Sequence, residues 1–181
     1  IRWTESGAGE NRLNFEMWAI VKIDKKNLNY LKYSFKSKLG DDLKIYSPKF
    51  LIQKFHKNKL KTKEVELLGE YLFCFHKKFE NPTIINSLKY TKGLKYFLNG
   101  FLQSQEEIKK FIFRCKESEN EKGYLTQNFF EIYEKLQYKF TSGPFTDKIF
   151  SIVSYQKNKL DILLGNIRTT LKRKENIIIP L

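Results

Sequence analysis

The chain has 181 residues, of which 41% are hydrophobic and 15% aromatic, so it can build packed cores and is not globally disordered. It has no run near the ~20 consecutive apolar residues of a membrane helix, and its two cysteines lack ligand spacing, so we expect a protein of the reducing cytoplasm with no membrane partner. The formal net charge of +14 favours contact with polyanions, although lysine enrichment from an A/T-rich genome is an alternative explanation.

The first sixteen residues carry no sustained hydrophobic period and contain small and polar residues of linker type. Met17 is the only methionine, and an alternating apolar run starts directly after it. We therefore expect the native chain to begin at Met17 and residues 1–16 to be foreign or disordered sequence. A genuine N-terminal extension is the alternative.

Residues 17–117 form the first predicted domain. The alternation over 18–23 predicts a buried strand, and apolar residues at helical spacing from Leu28 to Leu39 predict a helix that ends at Gly40. Further strands are predicted at 43–46, 49–66 (a long hairpin), 71–75 and 93–98, and further helices at 82–88 and 105–116. This order predicts an α+β sandwich in which helices pack on an antiparallel sheet.

A polar segment at 118–130 is assigned as a flexible linker, and residues 131–181 form the second predicted domain. Short apolar runs separated by turn residues predict a small SH3-like β-barrel there. The five predicted strands are 138–140, 149–155, 160–164, 167–171 and 177–179. The predicted fold class is therefore α+β, a sandwich followed by a barrel.

Five short motifs occur in order along the two domains. They are WAIVKI at 18–23, YSP at 46–48, LLGEYLFCF at 67–75, GLKYFLNG at 93–100 and TSGPF at 141–145. Their order and spacing resemble the NusG family of bacterial transcription elongation factors, including specialised paralogues such as RfaH. The resemblance covers residues 17–181 and implies a NusG-type N-terminal domain followed by a KOW domain.

Two positions depart from the family pattern. Gly69 and Glu70 precede Tyr71 where the family has a proline before its glycine, and Phe150 stands where the KOW motif has a glycine. Each departure changes a place where the backbone turns or bends. We therefore interpret the chain as a divergent, RfaH-like paralogue.

The resemblance implies that the first domain binds the clamp helices of the largest RNA polymerase subunit in an apolar pocket with aromatic anchors. The matching positions are Trp18, Leu68, Tyr71, Tyr96 and Phe97. Ordinary core packing is the alternative role, above all for Trp18 and Phe97.

The predicted hairpin lies in the most basic part of the chain, since residues 17–100 hold 18 Lys against 7 acidic residues. Its candidate nucleic-acid-binding residues are Lys49, Lys54, Lys57, Lys59, Lys61 and Lys63, with Phe50, Phe55 and His56 among them. Lysines interleaved with aromatic rings suit a phosphate backbone with occasional base stacking, and in the family this face looks toward upstream or non-template DNA. A solvated lysine-rich loop is the alternative.

The resemblance implies a second partner for the KOW domain, either a small-subunit ribosomal protein or the termination factor Rho. The candidate residues are Phe145, Ile149, Phe150 and Ile167, with core packing as the alternative for most of them. Some relatives refold this domain as a helical hairpin, and residues 128–137 could take part in either form.

The sequence predicts neither an enzyme nor a cofactor or metal site. His56 and His76 stand apart, Cys74 has no second ligand pair beside it, and no phosphate-binding glycine loop occurs. We therefore expect a non-enzymatic, monomeric, nucleoid-associated factor of the cytoplasm that modulates pausing and termination. The alternative is a ribosome-associated or RNA-binding KOW protein without polymerase contact.

Overall fold

The computed structural model describes residues 17–133, 136–173 and 177–181, so the expectation for residues 1–16 lies outside the described residues. The elements of the first domain are β1 (Trp18–Ile23), α1 (Leu28–Leu39), β2 (Lys44–Tyr46), β3 (Lys49–His56), β4 (Lys59–Glu66), β5 (Tyr71–Phe75), α2 (Pro82–Leu88), β6 (Leu94–Phe97) and α3 (Gln105–Glu117). Within the described residues, none of the helices has the length and apolar character needed to cross a bilayer.

A four-stranded antiparallel sheet in the order β2-β5-β1-β6 forms the centre of the first domain. Because successive side chains of a strand point to opposite faces, β1 divides its residues between two layers. Val21 points to one face and is fully buried. Ile20 points to the other face, where its antiparallel partner is Phe73 of β5. The two faces are covered unequally.

Helices α1 and α2 cover the face that carries Val21. Phe35 of α1 stacks on Phe97 of β6 with 6.2 Å between ring centroids. The ammonium group of Lys38 in α1 donates to the carbonyl oxygen of Ser87 in α2 at 3.1 Å, so the two helices lie side by side. This layer closes the core on one side of the sheet.

Helix α3 lies against the opposite face. The Gln105 side chain accepts a hydrogen bond from the backbone N–H of Trp18 at 2.9 Å and donates one to its carbonyl oxygen at 2.6 Å. Farther along the helix, the Phe111 ring lies 5.8 Å from the Phe73 ring. The helix therefore crosses the sheet from the start of β1 to the middle of β5 and leaves part of this face open.

Strands β3 and β4 form a separate hairpin, as the sequence predicts for 49–66. Its two-residue turn consists of Lys57 and Asn58, whose φ angles are 49° and 58°. Positive φ at both positions is the geometry of a type I′ turn, whose twist matches that of the flanking strands. The strands are therefore joined in a fixed register out to the tip.

The turn before β5 lacks the proline of the family pattern and is built around Gly69 instead. This glycine has a φ of 63°, a conformation that other residues adopt at a cost. The backbone N–H of Tyr71 donates to the Leu68 carbonyl oxygen at 3.2 Å and closes the turn. The strand that follows still starts at Tyr71, as predicted.

Residues 118–130 connect the two domains, but they are packed, which corrects the expectation of a flexible linker. Leu125 and Phe129 are buried in an apolar cluster with Phe50 and Ile52 of the hairpin and Cys115 of α3. The backbone N–H of Leu125 also donates to the Lys49 carbonyl oxygen at 2.8 Å. Polar composition predicted a mobile segment here, whereas the few apolar residues within it decide its position.

The second domain is a five-stranded antiparallel sheet in the order β10-β9-β8-β7-β11. The strands are β7 (Gln137–Phe140), β8 (Ile149–Gln156), β9 (Lys159–Leu164), β10 (Ile167–Lys172) and β11 (Ile178–Pro180). Alternate residues from β7, β8, β9 and β11 point into one core, which includes Tyr138, Phe140, Phe150 and Ile162. A single sheet that encloses its own core must curl, so the predicted α+β fold class with a small C-terminal barrel is confirmed.

The barrel bends without the glycine that the KOW pattern has where Phe150 stands. Asp147, just before β8, adopts a φ of 68°, which Asp tolerates better than most residues. The pairing of β8 with β9 then shifts between Ile152 and Ser154, and such a bulge increases the local twist. The turn and the bulge together bend the barrel. Position 150 therefore does not need to be a glycine and holds a core phenylalanine instead.

The two domains meet at the outer edge of β3. The backbone N–H of Gln53 donates to the Thr141 carbonyl oxygen at 2.5 Å, and the side-chain oxygen of Gln53 accepts from the Gly143 N–H at 2.7 Å. A second glutamine, Gln127, is buried and accepts a hydrogen bond from the N–H of Ile178 at 2.8 Å. Ile179 packs on the apolar cluster beneath the hairpin. The barrel is therefore docked on the hairpin.

We expect Gln53→Ala to weaken this docking, because the Gly143 N–H loses its acceptor. One such hydrogen bond contributes about 1 kcal/mol net, or roughly a fivefold shift in the docking equilibrium. Nitrogen-15 relaxation should then give the second domain a shorter rotational correlation time than the first. Gln156→Ala, at the exposed end of β8, is the matched control and should leave both domains with one shared value. A shared value in Gln53→Ala would contradict the assigned role of this side chain.

Candidate functional site

An apolar groove occupies the part of the sheet that α3 leaves open. Its volume is about 590 Å³, and it lies between the Ile20 face of the sheet and one side of α3. The lining residues are Ile20, Leu68, Tyr71, Phe73, Leu98, Asn99, Gly100, Phe101, Ser104, Glu107, Ile108 and Phe111. Glu107 is the only charged residue among them, so the groove offers mainly apolar contact. Its size falls within the range of ordinary ligand and peptide sites.

The groove is amphipathic at its Tyr71 end. The hydroxyl oxygens of Tyr71 and Tyr96 lie 3.0 Å apart, and the Lys22 ammonium group lies 5.4 Å and 5.8 Å from the two ring centroids. The hydrogen bond with Tyr71 is the main reason that the pKa of Tyr96 is raised. Both rings therefore combine apolar area with a polar tip, which is typical of residues at protein interfaces.

Of the five residues predicted to bind the polymerase, Leu68 and Tyr71 line the groove. Tyr96 lies beside it with 44% of its surface exposed. Trp18 and Phe97 are only 6% and 8% exposed, so the structure places these two in the core. Trp18 is covered by Gln105 and lies 5.4 Å from the ring of Phe75. The sequence alone does not reveal whether a helix covers a bulky apolar side chain at the end of a strand.

Several groove residues escaped the sequence analysis. Ile20 and Phe73 share a face because the antiparallel register pairs them directly. Ile108 and Phe111 lie on the same side of α3 because residues three apart are neighbours on a helix. The alternation of β1 could have indicated Ile20. The contribution of α3 depends on its docking against the sheet, which no local pattern reveals.

The hairpin divides its six candidate lysines between its two faces and its tip. The direct cross-strand pairs Lys54–Lys61 and His56–Lys59 place these residues on one face, and the Ile52–Lys63 pair adds Lys63 to it. All four lysines of this face are exposed. Among the residues that the structure describes, none of the four forms an ion pair. We call Lys54, Lys59, Lys61 and Lys63 the lysine face.

Lys49 and Lys57 lie elsewhere on the hairpin. The Lys49 ammonium group forms an ion pair with Glu64 at 3.0 Å on the opposite face, and this hydrogen bond raises the lysine pKa. It also lies 5.1 Å from the centroid of the Tyr124 ring. Lys57 is part of the turn. Lys49 is therefore paired with an acidic residue at the base of the hairpin. On the lysine face, by contrast, Lys54 and Lys61 lie directly opposite each other, and such a pair of like charges destabilises the strands unless an anion binds.

The candidate partner residues of the second domain separate into surface and core. Phe145, Ile149 and Ile167 are exposed to 37%, 51% and 66%. Phe150 is only 2% exposed and stacks on Phe140 with 4.2 Å between ring centroids, so the structure removes it from the candidate surface. Its position in β8 explains this difference, because alternate residues of that strand point inward.

Both cysteines and one of the two histidines, His76, are buried. Cys74 and Cys115 are buried, and burial raises the thiol pKa to about 12 for Cys74 and about 11 for Cys115. His76 is buried too, and its Nδ1 atom accepts the Lys78 N–H at 3.1 Å. In the described part of the chain, no three His, Cys, Asp or Glu residues are grouped in a way that could hold a metal ion.

No protein-family model matches the chain, and no curated protein sequence matches it significantly. Solved structures similar to it include the MjSpt4:Spt5 complex in conformation B, at 16% identity and a TM-score of 0.27, covering 91% of this chain and 98% of that chain. NusG of Thermotoga maritima, in a structure of its domain interaction, matches at 14% identity and a TM-score of 0.37, covering 90% of this chain and 96% of that chain. At TM-scores below 0.5 neither superposition decides the function, which has to follow from this chain's own residues.

We expect Tyr71→Phe to lower the pKa of Tyr96, because the hydrogen bond that holds the neutral phenol is the largest cause of its elevation. A pH titration of the Tyr96 ring carbon signals by NMR measures the change. Tyr33→Phe, on the exposed side of α1, is the control and should leave the Tyr96 titration unchanged. A Tyr96 pKa that is the same in Tyr71→Phe and in the parent protein would rule out the hydrogen bond between the two rings.

Proposed function

We propose that this protein is a non-enzymatic transcription elongation or antitermination factor that docks on RNA polymerase through its first domain. The apolar groove carries this proposal, since it presents aromatic anchors in a concave surface of the kind that receives an amphipathic helix. The resemblance to the NusG family supplies the partner, a helix of the polymerase clamp. Binding energy alone would then change pausing and termination.

The groove has the properties that helix recognition needs. It is open along one side, because α3 crosses the sheet and leaves Ile20 and Phe111 only half-buried, while the buried Phe73 also lines it. Tyr71 and Tyr96 stand at one end with their hydroxyl groups facing each other. In such interfaces a few aromatic side chains in desolvated pockets contribute most of the binding energy.

The lysine face fits a role next to nucleic acid. We propose that it contacts upstream or non-template DNA while the groove holds the polymerase. It contains four lysines and no arginine, and lysine binds phosphate as a point charge. Contact with the backbone rather than reading of base edges therefore suits this surface.

For the second domain we propose a second partner, a small-subunit ribosomal protein or Rho. Ile149 and Ile167 are both more than half exposed, so their apolar side chains are available for a protein contact. We further propose that the factor acts as a monomer in the bacterial cytoplasm. The docked position of the barrel then sets the distance between the two partners.

We expect Tyr71→Ala to weaken retention of the protein on core RNA polymerase by ten- to thirtyfold, as for a hot-spot aromatic residue whose loss costs about 1.4 to 2 kcal/mol. Co-purification across a salt series measures this loss. Tyr33→Ala is the control, because Tyr33 is 75% exposed on α1, away from the groove. If Tyr71→Ala and Tyr33→Ala are retained equally well, the groove is not the polymerase site.

Replacing the four lysines of the lysine face by glutamine separates this proposal from its alternative, an RNA-binding or ribosome-associated protein without polymerase contact. Each lysine that neutralises a duplex phosphate contributes about 0.9 to the slope of log affinity against log salt. We expect the DNA-binding slope to fall by up to roughly four times this amount, while polymerase retention at moderate salt persists. Loss of polymerase retention in this variant, with Tyr71→Ala unaffected, would show that the apolar groove is not the docking site, whereas the alternative predicts no salt-resistant retention even of the parent protein.

A further inference from the structure

A second cavity lies between the hairpin and the docked barrel. Its volume is about 340 Å³, and residues of both domains line it. Phe50, Ile52 and Val65 of the hairpin and Ile179 of β11 give it an apolar floor. We call this cavity the junction groove. Neither domain could form it without the other.

Three lysines from the two domains border the junction groove. Lys54 and Lys63 come from the lysine face, and Lys139 comes from β7 of the barrel. Asp147 is the only acidic residue in the lining. In the described residues none of the three lysines takes part in an ion pair. Docking therefore adds Lys139 and Asp147 to a surface that already carries Lys54 and Lys63, so the complete lining holds three lysines against one acidic residue.

The hydrogen bonds of the junction fix these charges in place. Gln53, which itself borders the groove, joins β3 to Thr141 and Gly143, directly after β7. Lys139 lies two residues before Thr141, so its position relative to Lys54 is set by the same contact. Lys139 points away from the barrel core because Tyr138 and Phe140 on either side of it point inward. Its side chain is half-buried at the junction.

Bringing like charges together costs free energy, which an anion in the groove would offset. A single strand of nucleic acid is the anion that suits the whole lining. Its phosphates can contact the lysines along the edge, and its bases can contact the apolar floor. The volume equals that of about eleven water molecules at ~30 Å³ each, so the cavity admits only a small part of a strand at a time. Phe50 is only 7% exposed, so Val65 and Ile179, which are half-buried, provide most of the apolar surface that a base can contact.

We propose that the junction groove binds single-stranded nucleic acid, with Lys139 of the barrel and Lys54 and Lys63 of the hairpin contacting successive phosphates. This inference rests on the nucleic-acid role proposed for the lysine face and extends it to the second domain. The barrel thereby becomes part of the nucleic-acid site. Docking of the two domains completes the site.

Fluorescence anisotropy with labelled single strands of about 12 nucleotides, one of DNA and one of RNA, tests the proposal on the full chain. Each lysine that contacts a single strand contributes about 0.7 to the slope of log affinity against log salt. We expect Lys139→Gln to reduce the slope by about 0.7 and Lys54→Gln with Lys139→Gln to reduce it by about 1.4. The two strands identify which nucleic acid binds more tightly.

Lys157→Gln is the matched control, because it removes the same charge from the same domain. Lys157 follows the end of β8, whose last residue, Gln156, lies roughly 23 Å along the strand from Ile149, the partner of Lys139, at ~3.3 Å per residue. It should leave the slope unchanged. Lys157 is exposed and Lys139 is half-buried, and equal melting temperatures of the variants verify that the fold is kept.

Three results would overturn the proposal. Lys139→Gln could bind both strands as tightly as the parent protein, Lys139→Gln and Lys157→Gln could weaken binding equally, or Lys139→Gln could affect a duplex and neither single strand. Polymerase retention is measured separately, and Lys139→Gln should leave it unchanged. Retention measures polymerase binding by the apolar groove, and anisotropy measures nucleic-acid binding by the junction groove. Failure of one proposal is therefore distinguishable from failure of the other.

Discussion

The first domain depends on the unequal covering of the two faces of its central strand. On one side of β1, two helices close the core over Val21. On the other side a single helix, α3, is fixed at one end by the hydrogen bonds between Gln105 and Trp18, and it crosses the sheet at an angle that leaves Ile20 accessible. The apolar groove is therefore a consequence of how the domain is layered. A second helix on this face would bury the groove and leave a domain without an apolar docking surface.

The junction of the domains also depends on a part of the first domain that is left uncovered. The hairpin extends from the sheet as a separate pair of strands, so the outer edge of β3 is available for other contacts. The barrel uses this edge through Gln53, and the apolar residues of 118–130 fill the space beneath. An exposed strand edge is an aggregation risk that proteins commonly cover, and here the second domain contributes to covering it. The result is one body with the apolar groove open and the lysine face partly shared with the barrel.

Charge and apolar surface have separate positions in this body. The apolar groove contains Glu107 as its only charged residue, whereas the lysine face carries four exposed lysines on the hairpin. Docking through apolar area resists salt, and contact with phosphates weakens steeply as salt rises. In the function that we propose, this separation lets the groove hold a protein partner firmly while nucleic acid moves past the lysine face. Ile149 and Ile167 of the barrel are exposed on a part of the surface that belongs neither to the apolar groove nor to the lysine face.

The sequence by itself determined the elements and their order, because alternation, helical spacing and turn residues are local signals: the strand at 18–23, the helix that ends at Gly40 and the hairpin at 49–66 all lie where predicted. Leu68 and Tyr71, which a motif indicated, line the apolar groove, and their role in binding stays a prediction. Only the tertiary structure decided which apolar residues stay exposed, since burial depends on which element packs on which face. That is why Trp18 and Phe150 lie in cores and why a polar segment such as 118–130 is packed. The junction groove belongs entirely to the tertiary structure, because Lys139 and Lys54 are 85 residues apart in the chain and meet only when the domains dock.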